Sequence, residues 1–250
     1  MIIISISGII FLCAVAIYFY IQSLKKVSRQ KEDRQKMEVV YKASMLSVII
    51  QLQEEERKKI GRELHDGIGS ILAALKLRMS STTSLLEKNR ENIRDIDTIS
   101  NIVRNLSHLL SPPELELLGF HEAVESLCDT YQNKDGLQII VNDAVPGFIP
   151  KNRLQLSLSL YRVLQELITN TVKHANASKI VIDIKNEKDT FVVDYFDNGI
   201  GFNEAGKIKP GLGMQNVYGR LLVIGATYRI QTSPGRGFRF TVFVDHKHIH

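Results

Sequence analysis

Cysteine is nearly missing from this sequence: only Cys13 and Cys128 occur among 250 residues. Two such distant thiols exclude a disulfide framework and fit a reducing compartment. Proline is missing from 36 to 79, so nothing there forbids a long helix. Charge is missing from 2 to 24. No Walker phosphate loop and no G-x-G-x-x-G pattern occur, which excludes the P-loop and dinucleotide-binding motifs. A broad basic surface is missing too. The net charge is +5, but "KKVSRQKEDRQK" (25–36) holds six Lys/Arg against Glu32 and Asp33. Nearly all the excess sits in that one stretch, so direct nucleic-acid binding is not expected.

What is present begins with "IIISISGIIFLCAVAIYFYIQSL" (2–24). As a helix its 23 residues rise about 34 Å, enough to cross a hydrocarbon core of ~30 Å. Tyr18 and Tyr20 lie near the basic end, where interfacial rings are favoured. The basic cluster follows the apolar run, which places the C-terminal side in the cytoplasm. A cleaved signal peptide carries its positive charge ahead of the apolar run, and only Met1 stands there. The expectation is a single-pass protein of the cytoplasmic (inner) membrane, without a second span or an extracytoplasmic domain.

A long helix follows. Ala43, Leu46, Ile50, Ile60, Leu64, Ile71 and Ala74 fall on a 3/4 spacing that also passes through Gln53, Arg57 and Gly67. This is an imperfect heptad seam, as in a coiled coil entering a helical bundle. His65 stands beside the seam rather than in it, so it should reach solvent from an anchored helix. Gly67 and Gly69 cost helix stability, about 1 kcal/mol each. They also remove bulk near the histidine, where a large partner could approach. Ile93, Ile96, Ile99, Val103, Leu106 and Leu110 form a second helical stripe that stops at "SPP" (111–113). The turn between the two helices is expected at "EKNREN" (87–92). One apolar stripe per helix cannot close a core; two hairpins in a homodimer would do so as a four-helix bundle, the alternative being a hairpin packed on its own C-terminal domain.

From 114 the period changes. Residues 120–134 and 154–175 read as helices. Residues 137–143, 179–187, 190–197, 227–233 and 238–245 alternate or run β-branched and aromatic, as strands do. Five strands under helices on one face make a two-layer α+β domain.

Three clusters here are candidates for chemistry. On the second helix, the spacing of Glu166, Asn170 and Lys173 puts them along one side, with His174 next in line. Glu and Asn supply oxygens suited to magnesium, although a solvated helix face has the same pattern. "DNGIGF" (197–202) directly follows a strand, and Asn-Gly is also a favoured hairpin turn. "GLGM" (211–214) opens a helix, where backbone N–H groups can cradle phosphate. The closing "HKHIH" (246–250) offers histidines for a metal, but a frayed polar terminus is the expectation.

Together and in this order, "ERKKIGRELHDGIG", "LSPPELELLGFHEAV", "QELITNTVKHANASKIVIDI", "DNGIGF" and "GLGMQNVYGR" carry a resemblance. The chain resembles a membrane-bound sensor histidine kinase of two-component signalling, over about 57–245. Within that family it is similar to the subfamily whose phosphoacceptor histidine is followed directly by aspartate. The resemblance implies that His65 is phosphorylated and that Asp66 is its base or orienter. Glu166 and Asn170 would belong to the family's N box, with Asn170 ligating magnesium. Asp197 would receive the adenine amino group of ATP, with Gly199 and Gly201 lining the pocket. Gly211 and Gly213 would bound a lid over the nucleotide, and Lys173 and His174 are further nucleotide-site candidates. The ATP domain would have the Bergerat fold shared with gyrase and MutL, and the partner would be a response regulator with a LuxR-type DNA-binding domain.

The implied organisation is a transmembrane helix at 1–24 and a basic coiled-coil linker at 25–56. A dimerisation and phosphotransfer hairpin follows at 57–113, then an ATP-binding domain at 114–250. A carboxylate suits the purine 6-amino donor, and magnesium with positioning supplies most of phosphoryl-transfer catalysis. An imidazole of unperturbed pKa about 6.5 is largely neutral at cytoplasmic pH. Two departures stand out. The lid, "NEAGKIKP" (203–210), is short, so Lys207 or Lys209 becomes a candidate for a phosphate. Phe238 follows "PGRG" where the family often has threonine. The competing classes are an ATP-binding adapter without transfer and a Bergerat-fold serine kinase or ATPase. Intact His65, Asn170 and Asp197 speak against the first, and the "ELHD" hairpin against the second.

Overall fold

The computed structural model describes the backbone of residues 2–80, 86–203 and 211–249. Side chains are described for these residues except 2–19, 35–36, 39, 43, 86–91 and 135. The chain forms two compact units, Met1–Leu46 and Ser47–His250. Helix α1, Ile2–Arg62, runs through the first and into the second. Among the described residues no helix is long and apolar enough to cross a membrane. Most of the apolar run expected to span one, at 2–24, has side chains outside the described residues.

In the second unit α1 passes into a π-helical turn, Glu63–Ile68, and then into α2, Gly69–Ser80. Helix α3, Leu86–Leu110, is the other limb of the hairpin. Gly61 is buried because α1 and α3 cross closely there. A Cβ at 61 would lie 3.1 Å from Cβ of Ser111 and 3.3 Å from the Ser107 carbonyl oxygen. The buried Ser107 hydroxyl donates to the Gly61 carbonyl oxygen at 2.8 Å. Lys76 and Asp97 pair across the limbs at 2.6 Å. The turn expected at 87–92 is corrected: these residues are helical and belong to α3. Glu, Lys and Arg are good helix formers, and polarity without Gly or Pro does not stop a helix.

Proline ends α3 as expected, and Pro112 and Pro113 open the short helix α4, Pro113–Leu117. Helices α5, Phe120–Tyr131, and α6, Leu154–Asn170, follow, the latter extended by a π turn, Thr171–Ala175. Helix α7 is Leu212–Val223. The strands are β1 Gln138–Asp143, β2 Lys179–Glu187, β3 Thr190–Asp197, β4 Thr227–Thr232 and β5 Phe238–Asp245. Their order in the sheet is β1-β2-β3-β5-β4. β1 runs parallel to β2, and the other pairs are antiparallel.

One apolar cluster joins the helices to the sheet. Val124 and Leu127 of α5, Leu160 and Leu164 of α6, and Leu221 of α7 meet Ile180, Ile182, Tyr195, Phe240 and Val242. The alternate residues of β2, Lys179, Val181 and Asp183, are exposed or half-buried on the other face. That is the period-2 pattern of a sheet with one covered face. The expectation of a frayed terminus fails. His246–His248 form a 3₁₀ turn, and Ile249 is fully buried in the core. His246 bonds Asn186 at 2.6 Å and lies over the Phe148 ring. Burial of one isoleucine is worth about 1.5–3 kcal/mol, enough to dock so short a segment.

Candidate functional site

His65 and Asp66 sit in the π turn between α1 and α2, both exposed. A π turn inserted in an α-helix is rare and recurs at functional sites. Both residues line a groove of about 530 Å³ between the hairpin limbs, with Ser70 and Lys76 on one wall and Asp97 and Arg104 on the other. Among the described residues none beyond α3 lines it. A Cβ at Gly67 would meet nothing within 4 Å, so the approach to His65 is open on that side. The Ser70 hydroxyl is turned back to the backbone, donating to the Gly67 carbonyl oxygen at 2.9 Å.

The second site is built where β3 ends. Asp197 is buried, and its carboxylate is fixed on two sides. One oxygen accepts from the Gly199 N–H at 2.9 Å, the other from the Thr171 hydroxyl at 2.7 Å. With the Thr171 proton so engaged, the Tyr195 hydroxyl, 2.7 Å from Thr171 Oγ1, turns its proton there, with the Leu167 carbonyl oxygen at 3.3 Å as its other acceptor. Burial raises the Tyr195 pKa, so the phenol stays protonated and the relay holds. Each carboxylate oxygen keeps a further lone pair for a donor such as a purine amino group.

The glycines expected around Asp197 let the backbone approach closely there. A Cβ at Gly199 would come within 2.6 Å of Ala175 Cβ. Gly201 has φ +57°, and a Cβ there would overlap the Ser233 carbonyl oxygen. Among the described residues no strand pairs directly across 198–199, so the Asn-Gly hairpin alternative is not the one adopted. Instead the Asn198 side-chain oxygen accepts from the N–H groups of Ser178 and Lys179 at 3.0 and 2.9 Å. That ties the loop to the start of β2.

Glu166 and Asn170 stand one turn apart on α6. Gly211 caps α7, and Gly213 lies in its first turn, directly against Glu166. A Cβ at 213 would overlap the Glu166 carboxylate. Thus Glu166 and Gly213, 47 residues apart, meet in space. Glu166 and Asn170 offer hard oxygen donors but too few for a protein-only cage. Among the described residues no group of three His, Cys, Asp or Glu is placed to hold a metal. The donor set fits a magnesium ion that keeps waters and nucleotide oxygens as most of its ligands. Lys173 and His174 are exposed in the π turn that closes α6. Lys207, Lys209 and most of the expected lid lie outside the described residues.

A cluster that the sequence does not announce lies one turn before Glu166 on α6. Arg162 and Arg220, with side chains 3% and 5% exposed, both bind Glu54 of α1. Arg162 donates to the Glu54 carboxylate from Nε at 3.1 Å and from Nη2 at 2.8 Å, and Arg220 Nη2 donates at 2.6 Å. Arg162 also donates to the Leu109 and Leu110 carbonyl oxygens at the end of α3, at 2.7 and 2.6 Å. Burial acts to raise the Glu54 pKa. The hydrogen bonds and charge of Arg162, with the charges of Arg220 and Arg57, outweigh it and hold the carboxyl below its ordinary value. Burial lowers the Arg57 pKa, reinforced by Arg162 and opposed by Glu54 and Glu166. Arg220 Nη1 is buried without a hydrogen-bond partner among the described residues. The one signal in the sequence was a charge inside the apolar stripe of α6, between Tyr161 and Val163.

Two regions of the chain match known protein families. Residues 56–114 match the family described as "Histidine kinase". Residues 155–248 match the family described as "Histidine kinase-, DNA gyrase B-, and HSP90-like ATPase". The sensor histidine kinase MctS of Rhizobium johnstonii is 30% identical over 184 residues, 69% of this chain and 40% of that protein. A sensor-like histidine kinase of Chloroflexus aurantiacus is 29% identical over 208 residues, 77% of this chain and 34% of that one. The chain thus matches well under half the length of these relatives. Among solved structures, a blue-light activated histidine kinase of Erythrobacter litoralis overlaps with a TM-score of 0.47 at 15% identity. The overlap covers 61% of this chain and 49% of that one.

Proposed function

The chain belongs to the sensor histidine kinases, and on that premise we propose that it phosphorylates His65 from ATP and passes the phosphoryl group to an aspartate of a response regulator. The observation that carries this reading is the exposed His65–Asp66 pair over one open groove, on a turn flanked by glycine. An imidazole nitrogen attacks the γ-phosphorus while the bond to the β–γ bridging oxygen breaks. ADP leaves with that electron pair, and the imidazole proton passes to Asp66. Asp197 reads the adenine amino group. Glu166 and Asn170 stand at the phosphate end, where Asn170 would hold magnesium. Magnesium, when bound, offsets phosphate charge.

Since no described residue of the ATP domain lines the His65 groove, transfer follows movement of that domain or comes from a second subunit. The exposed Ile68, Ile71 and Leu75 of one limb and Ile99, Ile102 and Leu106 of the other support a homodimer that closes a four-helix core. The regulator is of the LuxR-type class. The uncharged run at 2–24 and the basic stretch after it support a single-pass anchor in the cytoplasmic membrane with the kinase inside. The stimulus then acts through the span, the lipid surface or a membrane partner. Basic residues near anionic lipid contribute about 1 kcal/mol each. Equal activity in neutral and anionic vesicles would remove the lipid version.

The deciding experiment incubates the full chain with magnesium and γ-labelled ATP. Acid-labile label that His65→Gln abolishes is expected. Acid-stable label means a serine kinase, and nucleotide binding with no label means an adapter.

A further inference from the structure

In the β3–β5 pair, Tyr195 stands opposite Phe240 and Asp197 opposite Phe238. Directly opposed residues project to the same face, with Cβ atoms about 4.5–5.5 Å apart. Tyr195 and Phe240 are fully buried under the helices. Two residues further along each strand, Asp197 and Phe238 therefore share that face at its open end. Phe238 is half-buried, and its ring stacks on that of Phe202, 5.8 Å between centroids with planes 27° apart. Phe202 is 46% exposed and Ile200 58%.

The backbone holds this ring pair in place. Gly237 has φ +75°, and a Cβ there would overlap the Asp197 carbonyl oxygen, so the two strand ends touch. The Phe202 N–H donates to Thr232 Oγ1 at 3.2 Å, and that hydroxyl donates to the Gly237 carbonyl oxygen at 2.9 Å. An exposed apolar surface thus adjoins a buried carboxylate with spare acceptor capacity. Water gains little from such a surface, and a flat heteroaromatic base with one amino donor gains from both parts.

We propose that Phe202 and Phe238 form an aromatic wall of the nucleobase pocket, so that adenine is selected by one carboxylate and an apolar surface. This rests on the reading of Asp197 as the adenine acceptor. A hydroxyl at 238 could pair with a base edge directly or through water, and a phenyl ring cannot. A base that turns a carbonyl oxygen toward the wall leaves that oxygen unpaired, and leaving a polar group unpaired is the strongest way a site rejects an analogue. The wall therefore sharpens discrimination against guanine as well as adding stacking energy.

The test is calorimetric titration of the full chain, in detergent, with ADP and with GDP. Phe202→Ala weakens ADP binding about 5- to 100-fold, the usual range for a lost aromatic platform, and Phe202→Tyr restores it. Phe238→Thr lowers the preference for ADP over GDP about 10-fold or more. Far-UV circular dichroism checks the fold. Phe202 is half exposed, so its variants decide the matter if Phe238→Thr does not fold. Parent-like ADP affinity in Phe202→Ala overturns the wall. Parent-like ADP affinity in Asp197→Asn overturns the carboxylate reading instead, a separate outcome.

Discussion

The Glu166 carboxylate occupies the space that a side chain at Gly213 would require. The two residues lie on different helices, so the first turn of α7 sets where Glu166 can point. Alanine is the better helix former by about 1 kcal/mol, yet here it displaces a candidate catalytic group. Gly213→Ala is expected to leave the melting temperature within a few degrees and to lower autophosphorylation at least 10-fold. Full activity in a well-folded variant would detach Glu166 from catalysis.

Glu54 joins α1 to two arginines of the ATP domain, and removing it strands their charge. Breaking a buried pair on one side costs about 3–5 kcal/mol. Glu54→Gln should therefore lose hydrogen-exchange protection in α1 from 47 to 62 and in α6 together. The pH dependence has a definite sign. The Glu54 carboxyl is held below its ordinary value of 4.5 in the folded chain. Its contribution is complete above that pH and is lost as pH falls through the lower folded value. A clamp that opened on alkalinisation between pH 6 and 9 would contradict this assignment.

The strands were legible almost to the residue because alternation of β-branched and aromatic residues over a one-sided core is a local signal. The helical hairpin was legible for the same reason, through its 3/4 stripes. Its turn was not, because "EKNREN" is polar without being a helix breaker. The candidate Asp197 and its neighbouring glycines were singled out by their motifs, and the structure places them together where β3 ends. Their support was not: Thr171 is one hydroxyl at the end of an apolar helix, and its worth appears only when β3 lies beneath it. Arg162 and Glu54 are 108 residues apart, and no periodicity links them. Long-range polar pairing is the part of this fold that one-dimensional pattern cannot carry.

Thr171→Val keeps shape and removes the donor to Asp197. A buried acceptor that loses its partner costs about 1–3 kcal/mol. Weaker ADP binding is expected alongside a lower urea midpoint with an unchanged slope. If both stay at parent values, the Tyr195–Thr171–Asp197 relay has no energetic weight.

Asp66→Asn preserves size and removes the proton acceptor beside His65. A drop in the autophosphorylation rate of about 100- to 10,000-fold is expected with the fold intact. A parent-like rate would reassign the base.

Ser70 lies one turn beyond Asp66 and spends its hydroxyl on Gly67. A group so engaged is poorly placed to orient water on a phosphorylated regulator. Slow dephosphorylation by the parent, accelerated by Ser70→Gln, is the expected result in a decay assay without ATP. Fast decay that the substitution does not change would place the water elsewhere.

The π turn at Glu63–Ile68 has a consequence for counting. A turn closed by i→i+5 bonds takes up one residue more than an α turn. Residues after it are out of step with those before it by about 100° of rotation. A heptad register carried unbroken from Leu46 to Ala74 therefore names the wrong face on one side of His65. Deleting a single residue within 63–68 would turn α2 like a key in its lock while leaving every other residue unchanged. The azimuth of α2 relative to α1 is thus set by one surplus amino acid.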